Sequence, residues 1–326
     1  MAIVGIHSLT YHVSNLDTCT AFMEAFGLAR VARSPEEARF GLPDGATVFL
    51  RRAARPEGHG TVETVWGVDT LANLEAAASR LAQDRTVVLD ETGVFRFQSD
   101  CGMAMGLAVF ERKPVLCAPD PVNAPGRVQR LDTWRKWRTR AAPRTINHVV
   151  YGVDDYKASW DFFRHRLGFR LSDHSRGLGV FLRADGAPEH HTLFLQNCHY
   201  HAPGTPGFLH ACFGVEDIDE LMAGANYMAR LGHRSKLGVG RHRIASALFY
   251  YLDCPAGGEI EYGADTDYLD DHWMPREWDP KFGFISWCAN LPPFLQEAAA
   301  PDVRVLASED DVDIPDLAAY RLGRRG

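Results

Sequence analysis

No apolar run in this 326-residue chain approaches the length of a membrane span, and its seven cysteines include no Cys-x-x-Cys pair. The odd count and wide scatter of Cys19, Cys101, Cys117, Cys198, Cys212, Cys254 and Cys288 argue against a disulfide framework and a zinc knuckle. Each is expected as a small core residue in a reducing compartment. The amino terminus, MAIVGIHSLTYHV, lacks a charged leader and a cleavage site, so a cytoplasmic location with no membrane partner is expected. Charge of one sign is scarce as well: a net −7 is too mild for a polyanionic ligand, which sets nucleic acid aside. Histidine is unevenly spread. Only His7, His12 and His59 precede residue 145, and the other eleven follow it.

That asymmetry is informative because the two halves are copies. Ile6-His7-Ser8-Leu9-Thr10-Tyr11-His12-Val13 matches Ile146-Asn147-His148-Val149-Val150-Tyr151-Gly152-Val153 at an offset of 140. Glu63 to Asp69 matches His210 to Glu216 at an offset of 147, and Asp100-Cys101 with Leu107-Ala108-Val109 matches Asp253-Cys254 with Ile260-Glu261-Tyr262 at 153. Amphipathic helices follow the first two matches, and Gly27 and Gly168 stand where helices would stop. Four βαβββ units result, near 3–53, 60–112, 145–198 and 207–263. The expected organisation is an α+β protein: a non-catalytic domain (1–126), a linker (127–144), a catalytic metal-binding domain (145–265) and a tail (266–326). The linker RVQRLDTWRKWRTRAAPR reads as a basic helix followed by proline. The tail, rich in Trp and Pro and without a counterpart in the first half, is expected over the mouth of the catalytic half or in a subunit interface.

The second half concentrates the chemistry. In GRHRIASALFYYLDCPAGGEIEYG, His242 precedes a strand carrying Tyr250 and Tyr251, a Pro-Gly turn follows, and a second strand carries Glu259 and Glu261 on one face. A carboxylate on the inward face of a strand is costly unless paired, and a metal ion is the natural partner. His148 and His210 sit at comparable places in two other strands. Two histidines and one carboxylate form the ligand set of non-heme Fe(II) oxygenases, which leave coordination positions open. The first half has Ser8, Glu63 and Ala108 where the second has His148, His210 and Glu261, so it cannot hold a metal in that way. His199-Tyr200-His201, beside the Pro/Gly-rich loop 202–206, reads as a solvated loop.

Gly240-Arg241-His242, Tyr251, Cys254-Pro255 and Glu261 together resemble the carboxy-terminal signature of type I extradiol catechol dioxygenases of the vicinal oxygen chelate superfamily. The resemblance spans residues 3–265 in domain order and is strongest over 145–263. It implies that each half pairs its βαβββ modules into an open mixed-sheet barrel, and that His148, His210 and Glu261 ligate Fe(II), with Mn(II) able to use the same set. It also implies a His-His-Thr stretch here met by His190-His191-Thr192, whose second histidine is the matching position. His191 would stabilise and protonate bound oxygen, while His242 and Tyr251 would hydrogen-bond the substrate. Tyr251 rather than Tyr250 keeps the ten-residue spacing to Glu261. The implied partners are a catechol and O2, the implied product is a 2-hydroxymuconic semialdehyde type, and a homo-oligomer is expected. Val150 and Phe181 would supply an apolar wall for the ring. A glyoxalase-like isomerase or lyase and a non-enzymatic aromatic-binding protein are the alternatives; the first leaves His191, His242 and Tyr251 without a purpose, and the second leaves the three ligand positions unexplained.

Overall fold

The computed structural model describes residues 3–200, 204 and 206–314, so His201 and the end of the tail from residue 315 lie outside the described residues. Asn15, Thr70, Asp155 and Asp217 each stand one residue before a helix and accept a hydrogen bond from a backbone N–H of its first turn. The first unit comprises β1 (Ile3–Val13), α1 (Leu16–Phe26), β2 (Ala29–Arg33), β3 (Glu37–Gly41) and β4 (Thr47–Arg52). The second comprises β5 (Val62–Val68), α2 (Leu71–Leu81), β6 (Val88–Leu89), β7 (Phe95–Gln98) and β8 (Ala104–Val109). After a long connection come β9 (Thr145–Val153), α3 (Tyr156–Leu167), β10 (Arg170–Ser175), β11 (Gly179–Arg183) and β12 (Leu193–Asn197). The fourth unit is β13 (Gly207–Gly214), α4 (Ile218–Arg230), β14 (Gly240–Arg241), β15 (Leu248–Asp253) and β16 (Glu259–Ala264). α1 and α3 end at Gly27 and Gly168, whose φ angles of 109° and 75° lie in the left-handed region that a glycine adopts without strain.

Each pair of units shares one mixed sheet, joined where its first strands run antiparallel: β1 against β5, and β9 against β13. The two sheets share one hydrophobic core. At their junction Phe26 stacks on Tyr262 with centroids 4.0 Å apart, and the Tyr262 hydroxyl donates to the Phe26 carbonyl. Among the described residues no helix is long and apolar enough to cross a membrane.

Strand pairing corrects one repeat assignment. Ser8 pairs with Val65 as His148 pairs with Cys212, which makes Val65 the counterpart of Cys212. Val65 then pairs with Gly106, whereas Cys212 pairs with Glu261, so the counterpart of Glu261 is Gly106, not Ala108. The turn after Cys254 is two residues longer than the turn after Cys101, and that shifts the register. A side chain at Gly106 would meet Val94 at 2.7 Å and Val65 at 3.2 Å. The place a carboxylate takes in the second half is packed with Val65, Val94 and Ala108 in the first.

The connector 127–144 contains no helix. Its cations are drawn instead to the acidic start of α4: Arg138 and Lys136 each reach Glu216 at 2.8 Å, and Arg144 reaches Glu220 at 2.7 Å. Ion pairs along an extended strap replace the i,i+4 contacts a helix would have offered. The cysteine expectation holds for Cys19, Cys198, Cys212 and Cys254, which are buried; Cys101 and Cys288 are half-buried and Cys117 is exposed.

The tail lengthens the second sheet at both edges. β17 (Arg276–Trp278) runs parallel to β10 and antiparallel to β19 (Val303–Val305); past the short helix α5 (Pro280–Phe284), β18 (Trp287–Cys288) pairs with β14. Glu277 fastens it, with His174 Nδ1 at 3.0 Å and Arg304 Nε at 2.8 Å. Burial alone would raise the Glu277 carboxyl; the hydrogen bonds from His174 and Arg304 outweigh it and bring it from 4.5 to about 2. A carboxyl depressed by folding contributes its stability in full above the unfolded value and loses it as pH falls through the folded one. Urea unfolding followed from pH 5 down to pH 2 should therefore show a loss of stability that Glu277→Gln flattens, because glutamine has no charge to lose.

Candidate metal centre and its cavity

His148, His210 and Glu261 come from three adjacent strands, β9, β13 and β16. An extra residue at Leu209 breaks the β13–β9 register immediately before His210, a bulge of the kind that re-aims a side chain. The first half has no such bulge in the matching stretch of β5. His148 Nε2 lies 3.3 Å from His210 Nε2, and Glu261 Oε2 lies 3.3 Å from each of them. Burial lowers the His148 pKa against the pull of Glu261, while the imidazoles outweigh burial at Glu261 and hold its carboxyl well below the usual range. Two imidazole nitrogens and a carboxylate oxygen thus face one point.

The donor set fits a divalent cation. Glu261 Oε2 is buried and accepts no hydrogen bond, despite two ring nitrogens at 3.3 Å. A buried charged oxygen left in that state costs about 3 kcal/mol or more. Ligand atoms about 2.1 Å from one ion, at right angles to each other, would lie about 3 Å apart, close to the triangle observed. Glu259, the competing carboxylate, is half-buried on the cavity wall. Cys212 escaped the sequence reading: its sulfur lies within 4.8 Å of the nearest ligand atoms of His148 and Glu261. Burial and then the Glu261 charge push its thiol far up, leaving a neutral S–H rather than a thiolate ligand.

These residues line a cavity of about 480 Å³, within the range of small-molecule sites. Val150 and Phe181 line it, and Phe181 stacks on Phe194 with centroids 4.0 Å apart. Phe194, Ile244 and Phe284 are wall residues that sequence reading missed. Phe284 belongs to α5 in the tail, and its carbonyl accepts a hydrogen bond from His242 Nδ1 at 2.5 Å. A carbonyl only accepts, so the His242 proton is on Nδ1, and the bare Nε2 accepts from the Tyr251 hydroxyl at 3.0 Å. Burial lowers the His242 pKa; burial, then the Glu261 charge, raises that of Tyr251. Tyr250 points elsewhere, its hydroxyl accepting from the Ser235 amide at 3.3 Å.

His191 also lines the cavity, its ring centroid 4.3 Å from that of His148 and 5.1 Å from that of Phe181. Burial, then the neighbouring imidazoles, lowers its pKa strongly. His199 stands away from this site, 3.3 Å from Asp154, in a short helical turn rather than a loop. In the first half the counterpart of His210, Glu63, is ion-paired to Arg96.

Residues 145–250 match the family profile described as the Glyoxalase/Bleomycin resistance protein/Dioxygenase superfamily. The chain is 28% identical over 300 residues to Metapyrocatechase 2 of Cupriavidus necator, covering 89% of this chain and 92% of that protein. It is 32% identical over 146 residues to the iron-dependent extradiol dioxygenase of Rhodococcus jostii (strain RHA1), covering 40% of this chain and 47% of that one. The Mn(II)-bound glyoxalase of Novosphingobium aromaticivorans superposes with a TM-score of 0.71 at 22% identity, over 92% of this chain and 96% of its own. Over the 92% of the chain that superposes, the described residues therefore have the vicinal oxygen chelate fold, and residues 145–250 match the Glyoxalase/Bleomycin resistance protein/Dioxygenase superfamily.

Proposed function

We propose that this chain cleaves a catechol beside its hydroxyl pair with O2, giving a 2-hydroxymuconic semialdehyde-type product. The observation that carries the reading is the triangle of His148, His210 and Glu261 on the wall of an apolar cavity that His191, His242 and Tyr251 also line. Both curated relatives, one named as a metapyrocatechase and one as an iron-dependent extradiol dioxygenase, support it. The triad holds Fe(II), or Mn(II) with the same ligands. When bound, the ion supplies open positions at which a catechol and O2 meet and exchange electrons.

The chain's own residues do the rest. Val150, Phe181 and Phe194 clamp the ring and keep water from it. A catechol hydroxyl beside Tyr251 loses its proton through the phenol to His242 Nε2, which is already the acceptor of that hydrogen bond. His191, against His148 on another side of the cavity, handles the proton of the oxygen that attacks the ring. The glyoxalase-like alternative has the shared fold in its favour, yet it gives the His242–Tyr251 pair no task. A homo-oligomer belongs to the same reading, since Trp134 and Trp137 stand 76% and 89% exposed on the connector, where a second copy would cover them.

The test is direct. Protein loaded anaerobically with Fe(II) and mixed with catechol should turn yellow when air is admitted, with O2 consumed in equal amount to catechol. A colourless mixture without O2 uptake, across monocyclic and bicyclic catechols, would refute the reading.

A further inference from the structure

Behind His191 runs a buried chain that reaches no metal ligand. Asp173, on β10, directs Oδ1 to the backbone N–H of Arg276 in the tail at 2.8 Å and Oδ2 to His190 Nε2 at 3.1 Å. His190 Nδ1 in turn lies 3.1 Å from His191 Nδ1. Asp173 and His190 are both almost fully buried. We propose that Asp173 and His190 are positioning residues that fix which ring nitrogen of His191 is bare toward the cavity, an inference that rests on the proton-handling role of His191.

An ionised carboxylate only accepts, so His190 carries its proton on Nε2. A neutral imidazole has one ring proton, which leaves His190 Nδ1 as a lone pair. The hydrogen bond between the two Nδ1 atoms then requires the proton on His191 Nδ1. His191 Nε2, the nitrogen left to the cavity, is a lone pair ready to accept a proton. The tail locks the arrangement in place. The His190 amide donates to the Asp267 carbonyl at 2.9 Å, the Trp273 ring stands edge-on to His190 with centroids 6.0 Å apart, and the Trp273 indole N–H donates to the Ser172 carbonyl at 2.8 Å. A segment that the first half lacks thus encloses the support of a cavity histidine.

Asp173→Asn is the decisive variant. Its amide oxygen must stay on the Arg276 N–H, so its NH2 faces His190 Nε2, which then has to be bare. The His190 proton moves to Nδ1, and that of His191 to Nε2. In protein with 15N-labelled histidine, loaded with diamagnetic Zn(II), the His191 ring nitrogens should exchange their protonated and bare signatures relative to wild type. In the iron-loaded variant kcat should fall about 10²–10⁴-fold, the range for a lost acid–base group, with KM and iron content near wild type. An unchanged His191 pattern in the variant, or a proton on Nε2 in the wild type, overturns the inference; the wild-type spectrum decides even if the variant fails to fold. A switched tautomer with undiminished kcat supports the positioning chain and counts against the role assigned to His191.

Discussion

Glu261→Ala, His148→Ala and His210→Ala should each reduce iron from about one atom per chain to a small fraction of that, with no measurable ring cleavage. The three ligand atoms are 3.3 Å apart, and among the described residues no hydrogen-bond donor reaches Glu261 Oε2, so losing one ligand dismantles the triangle. Glu259 also lines the cavity, and burial raises its pKa, which makes it a poor substitute. Iron analysis by plasma emission, beside circular dichroism to establish folding, measures the effect. Glu63→Gln is the matched control, because Glu63 is the counterpart of His210 and is held by Arg96. It should keep full iron and near-normal turnover. Full iron in any of the three ligand variants would refute the assignment.

His242→Ala, Tyr251→Phe and His191→Asn should keep iron and slow turnover by about 10²–10⁴-fold, the range for a lost acid–base group. His242 and Tyr251 form a single hydrogen-bonded unit fixed by the Phe284 carbonyl. Their double variant should therefore be little slower than the worse single one. Tyr250→Phe loses only the contact with the Ser235 amide and should change kcat by less than about threefold. Steady-state O2 uptake compares all five. A crippled Tyr250→Phe beside a near-normal Tyr251→Phe would show that the wrong tyrosine had been chosen.

Much of this was legible in the sequence because strands alternate and the chain repeats. Alternation placed Glu261 with Glu259 and not with Ile260, and duplication exposed the missing histidines of the first half. The ends of α1 and α3 followed from Gly27 and Gly168, which take the left-handed φ at a helix end without strain. What escaped depends on pairing between distant segments. The offset set Ala108 opposite Glu261, since a turn two residues longer leaves no mark on local pattern. The connector's cations suggested a helix until their partners on α4 were in place. Ala245 and Ser246, at φ of 66° and 52°, shape the loop after His242 without a glycine to announce it. Asp173 lies seventeen positions before His190, and only the β10 and tail pairings reveal that they meet. Phe284 enters the cavity from a tail that no repeat could predict.

The most direct measurement of the central claim is mass spectrometry of the product formed from catechol under 18O2. Cleavage beside the hydroxyls at this site predicts a ring-opened semialdehyde carrying both atoms of one O2, produced by wild type and absent with Glu261→Ala. A product without 18O, a ring opened between the hydroxyls, or labelled product from the Glu261→Ala protein would contradict the account.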